Sequence, residues 1–87
     1  MEMKSIAHFV AELLAPHGYV TRDIEEDGDL SIVRFARRRP DGAEAMAGAV
    51  SFGNSITTLP ADEIEQLVRI RTLEAVRAAT REPALRA

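Results

Sequence analysis

The chain has 87 residues, 46% of them hydrophobic and 29% charged, with a formal net charge of −3 and no cysteine. Those figures exclude disulfides, thiolate metal centres and cysteine nucleophiles, and they lie far from the composition of disordered chains. The length fits one domain, residues 1–87, that buries roughly 60% of its unfolded surface.

The acidic balance weighs against non-specific nucleic-acid binding by the domain as a whole. No apolar run approaches the ~20 residues of a bilayer span, so no membrane partner is expected. The opening Met1-Glu2-Met3-Lys4 lacks the basic and continuous apolar stretches of a signal peptide. Small secreted folds usually need disulfide staples, so a cytoplasmic setting is expected.

From Ser5 to Ala15, Ile6, Phe9, Val10, Leu13 and Leu14 recur at helical spacing. Ser5 is a candidate N-cap, and Pro16 and Gly18 end the helix. Two extended stretches follow, Tyr19 to Glu25 and Leu30 to Arg37, joined by Glu26-Asp27-Gly28-Asp29. Asp-Gly at such a junction predicts a hairpin with a type I′ turn at Asp27-Gly28. That turn pairs Val20 with Phe35, Thr21 with Arg34 and Arg22 with Val33. One sheet face then carries Val20, Ile24, Val33 and Phe35, and the other Tyr19, Asp23, Ile32 and Arg34, with Asp23 and Arg34 diagonal.

Pro40-Asp41-Gly42 reads as a second turn. Ala45 to Phe52 is expected to return as a third strand, with Met46, Val50 and Phe52 on one face; its small residues leave a helix as the alternative. Ser51 to Leu59 reads as a connecting loop. Pro60 suits the first position of a second helix, and Asp62 and Glu63 suit its positive end. This helix is expected to reach about Thr80 and stop before Pro83, leaving residues 82–87 frayed. Ile64, Leu67, Val68, Ala75, Ala78 and Ala79 make one apolar stripe, interrupted by Arg71, while Ile70, Leu73 and Val76 lie towards the other side. The architecture is therefore α+β in the order helix, strand, strand, strand, helix: a three-stranded antiparallel sheet packed by an N-terminal helix and a longer C-terminal one.

Catalytic chemistry finds little purchase. The glycines are too dispersed for a phosphate-binding loop, and no serine stands in a nucleophile elbow. His8 and His17 lack additional donors at metal-ligand spacing and read as surface or capping residues. No catalytic residue, cofactor or metal is expected; the residual enzymatic reading would use the polar loop Ser51 to Ser55.

Binding is better supported. Asp23, Glu25, Glu26, Asp27 and Asp29 concentrate acid at the hairpin end, a negative knob for a basic protein surface. Ile70, Leu73 and Val76 form the second apolar side of the last helix, suited to a partner protein or a homodimer. The alternative is nucleic-acid binding through Arg34, Arg37, Arg38 and Arg39, whose guanidinium forks suit phosphates. Nucleic acid ranks below a protein partner.

The element order, with the stretch Leu13-Leu14 to Gly18-Tyr19, resembles the double-stranded-RNA-binding fold and the small toxin ribonucleases of toxin–antitoxin systems. The RNA-binding members imply a basic start to the last helix, where this chain has Asp62, Glu63 and Glu65. The toxins imply a catalytic histidine early in the second strand, where this chain has Asp29-Leu30-Ser31. In size, acidity, absence of cysteine and lack of catalytic groups, the chain resembles small phage or mobile-element inhibitors of host machinery, including anti-CRISPR proteins. That resemblance implies a non-catalytic inhibitor.

Overall fold

A computed structural model describes the backbone of residues 1–86 and the side chains through Thr80. Its first element, α1 (Met3–Leu14), buries Ile6, Val10 and Leu14, one residue per turn. Glu2 occupies the N-cap without a side-chain bond, and Ser5 lies inside the helix rather than capping it. A 3₁₀ turn over Ala15–His17 follows, and Gly18 closes it with φ of 83°, its N–H bonded to the Ala15 carbonyl at 3.0 Å. That left-handed conformation is why glycine stands there.

Three strands form one antiparallel sheet in the order β1 (Tyr19–Asp27), β2 (Leu30–Arg38) and β3 (Glu44–Gly53). The second helix, α2 (Ala61–Arg86), follows a 3₁₀ segment at Asn54–Thr58. The fold is thus α+β, and residues 45–52 are strand, not helix. Both helices pack on one face of the sheet, α1 against β1 and β2, and α2 against β3 and α1.

The hairpin differs from expectation in its turn. Asp27 pairs with Leu30, so the two-residue loop is Gly28-Asp29. Gly28 has φ of 61° and no non-glycine residue among those described has positive φ, which fits the type II′ demand for glycine at the first central position. Glu25 therefore faces Ile32, and Ile24 faces Val33. A bulge then sets Arg22 and Asp23 opposite Arg34, after which Thr21 faces Phe35 and Val20 faces Ala36. One extra residue reverses strand parity. Tyr19 consequently enters the core, and Val20 moves to the sheet face away from the helices.

A second bulge does the same to β3. Gly48 faces Phe35 but Met46 faces Ala36, leaving Ala47 as the extra residue. Val50 and Phe52 are buried as expected, whereas Met46 is 58% exposed on the open face. The core joins Ile6, Val10 and Leu14 to Tyr19, Val33, Phe35, Val50, Phe52, Ile64 and Val68. Tyr19 meets Phe35 edge-on with ring centroids 4.9 Å apart.

The connection after β3 is more ordered than a plain loop. The Ser31 hydroxyl donates to Asn54 Oδ1 at 2.6 Å, and the Asn54 N–H donates to the Asp29 carbonyl at 2.7 Å. This ties the 3₁₀ segment to the hairpin. Pro60 precedes α2, its carbonyl accepting the Ile64 N–H at 3.0 Å. The helix continues past Thr80 to Arg86. Pro83 removes one ladder donor without ending it. The expectation of a frayed tail at 82–87 falls on side chains outside those described.

Candidate interaction surfaces

The outer side of α2 is built by the choice of its inner side. Among the described residues it buries Ile64, Val68, Thr72, Val76 and Ala79. They follow a spacing of four, four, four and three, a narrow stripe facing the sheet and α1. Val76, expected on the outer side with Ile70 and Leu73, is buried in the core at 8% exposure. Leu67 and Ala78, expected in the stripe, are exposed. The outward apolar set is therefore Leu67, Ile70 and Leu73, at 37%, 53% and 48% exposure. Acidic Glu63 and basic Arg77, both exposed, bracket it along the helix.

Two features flank this surface. Towards α1, the Arg69 guanidinium lies 5.0 Å from the Phe9 ring centroid, a cation–π contact that holds the helices together. Beside it, Leu13, His17, Arg69, Thr72, Leu73 and Val76 line a groove of about 160 Å³. That is below the several hundred Å³ of small-molecule pockets. Among the described residues the Thr72 hydroxyl is buried with no hydrogen-bond partner, unlike Thr80, whose hydroxyl donates to the Val76 carbonyl at 2.8 Å. Towards β3, Arg71 reaches the Ser51 carbonyl at 3.4 Å.

The acidic hairpin keeps its charge outward: Asp23, Glu25, Glu26, Asp27 and Asp29 are all exposed. Glu25 is engaged, accepting from Arg34 Nε at 3.0 Å across the open sheet face. Arg34 thus pairs with Glu25 rather than with Asp23. Asp23 lies at the bulge, in an open groove with Lys4, His8 and Glu26.

The arginine cluster does not converge. Strand parity sends Arg34 and Arg38 to the open face and Arg37 to the helix face opposite Tyr19. There Arg37 donates to the Tyr19 hydroxyl at 2.9 Å. Arg38 lies 3.7 Å from Glu44, and Arg22 pairs with the same carboxylate. Arg22 on β1 and Glu44 on β3 meet across the middle strand. Together with Val20 and Met46, that bridge accounts for the complete burial of Ala36 on the open face. Arg39 sits in the following turn, its N–H bonded to the Ala43 carbonyl.

Among the described residues, no hydrogen bond links the hydroxyl of Ser51 or Ser55 to a histidine or carboxylate, and no group of three or more acidic or histidine side chains could hold a metal ion. His8 pairs with Glu12 at 2.8 Å, one turn along α1. Among the same residues no helix is long and apolar enough to cross a membrane. Sequence reasoning missed the outward position of Leu67 and the buried Thr72. The clue to both was the spacing Val68, Thr72, Val76, which a polar residue in the seam disguised.

Comparison with protein-family models, curated proteins and solved structures finds no match. The likeness to the double-stranded-RNA-binding fold accordingly rests on element order.

Proposed function

We propose that the protein is a non-catalytic protein-interaction module acting as an inhibitor of its partner, in the manner of phage and mobile-element inhibitors such as anti-CRISPR proteins. The observation that carries this reading is the outward pair Ile70 and Leu73, about half exposed on a helix whose opposite side is already buried in the core. Adjacent exposed aliphatics keep an apolar area in water that a partner would cover. The acidic hairpin supplies a second contact, suited to a basic protein surface.

The test compares three immobilised baits in an extract of the source cells: wild type, Ile70→Ala/Leu73→Ala, and Glu26→Gln/Asp27→Asn/Asp29→Asn. A protein other than this chain that is retained by wild type and reduced at least tenfold on either variant supports the reading. Equal recovery of every protein on all three overturns it. The nucleic-acid alternative has less support, because Arg34, Arg37 and Arg38 divide between two faces and each has a local partner. It would regain ground if the chain bound a mixed-sequence duplex with a steep salt slope that Arg34→Ala/Arg38→Ala flattened.

A further inference from the structure

We infer that the occupant of the outer side of α2 is a second copy of this chain, packed antiparallel about a two-fold axis at Ile70. The inference rests on the reading that this side is a contact surface, and does not require a foreign partner there.

Charge order along the helix selects both occupant and direction. The first two turns carry Asp62, Glu63 and Glu65, while Arg69, Arg71 and Arg77 follow with one intervening acid, Glu74. A parallel copy would set like charges against like. An antiparallel copy sets acid against base at both ends, and it also opposes the helix dipoles favourably.

Residue spacing then fixes the register. Glu63, Ile70 and Arg77 recur every seven residues, about two turns, and so project in nearly one direction. Leu67 and Leu73 flank that line, three residues either side of Ile70. With Ile70 on the axis, Leu67 of one copy reaches the level of Leu73 of the other. Glu63 reaches the level of Arg77, and it does so twice by symmetry. Among the described residues the contact uses each exposed large aliphatic of the face, Leu67, Ile70 and Leu73, and each end is closed by an opposite-charge pair. The surface is long enough for this: a 26-residue helix rises about 39 Å, close to the 41 Å long axis of the molecule.

The contact covers only three or four turns, below the roughly 1,200 Å² of standard stable complexes, so a weak, concentration-dependent association is expected. Sedimentation equilibrium across a concentration series reads it directly. Wild type should rise from 9.5 kDa towards twice that mass. Ile70→Glu should stay at the monomer mass with unchanged circular dichroism, since the side chain lies outside the core. Glu63→Arg and Arg77→Glu should each weaken association several-fold, and the combined swap should restore it. Restoration would not follow from a parallel pair or from non-specific apolar contact. A wild type that remains monomeric to about 1 mM, or single swaps that weaken association without rescue by the double, overturns the inference. If the wild type is monomeric while bait capture still depends on Ile70 and Leu73, self-pairing fails and the interaction reading stands. If it dimerises as described while no captured protein depends on either surface, self-pairing stands and the foreign-partner reading fails.

Discussion

Replacing Gly48 by alanine probes the sheet register through one close approach. A Cβ built at Gly48 would lie 2.9 Å from Cζ of Phe35 and 3.3 and 3.6 Å from its two Cε atoms. Carbon atoms prefer 3.5–4.0 Å, so the ring must retreat by about half an ångström or more. It has nowhere to go: Phe35 is fully buried, and its ring packs edge-on against Tyr19. Overpacking of this kind costs about 1–3 kcal/mol, and alanine recovers about 0.5–1 kcal/mol of the conformational entropy that glycine loses. The net expectation is a loss of about 1–2 kcal/mol, a fall in Tm of roughly 5–15 °C for a domain this size. Urea unfolding followed by circular dichroism should show a lower midpoint at unchanged slope. In a Phe35→Leu background the same substitution should cost little, because the ring tip it strikes is gone. A Gly48→Ala variant as stable as wild type would refute the pairing of Gly48 with Phe35, and with it the bulge that turns Met46 outward.

Three further substitutions test two local features. Thr72→Val removes a buried hydroxyl without a partner while keeping the side-chain shape, so it should stabilise the fold by about 1 kcal/mol, read as a higher Tm; a loss of stability would mean the hydroxyl is satisfied. Gly28→Ala should cost about 1–2 kcal/mol because alanine resists positive φ, whereas Asp29→Ala should change stability by less than about 0.5 kcal/mol. Equal effects at the two positions would contradict the type II′ turn.

The helices and the hairpin were legible because their signals are local. Ile6, Val10 and Leu14 repeat at one-turn spacing, and Gly18, Gly28 and Gly42 punctuate the chain where φ is positive. The bulges were not legible. An added residue at Arg22-Asp23 leaves plausible alternation on either side, so Tyr19 and Val20 exchange faces without any change in composition. Ala47 hides in a run of small residues in the same way. In α2, the polar Thr72 sits at the middle of the buried stripe, which shifted the expected stripe towards Leu67 and Ala78 and left Val76 outside it. Ile70 and Leu73 were legible as surplus apolar residues. The division of the arginines follows from parity alone, since Arg34 and Arg38 share a face that Arg37 cannot.

The absence of native cysteine makes the decisive measurement a disulfide one. Helices packed 8–10 Å apart, each with Cα atoms about 2.3 Å from its axis, leave facing Cα atoms roughly 3.5–5.5 Å apart, a span that overlaps disulfide geometry. Under mild oxidation, Ile70→Cys should therefore form a linked dimer rapidly, while Glu63→Cys and Arg77→Cys, whose like positions lie about 21 Å apart, should link slowly alone and rapidly when mixed. Slow linkage at position 70, or equal rates for all three variants whether alone or mixed, would contradict the two-fold contact through α2.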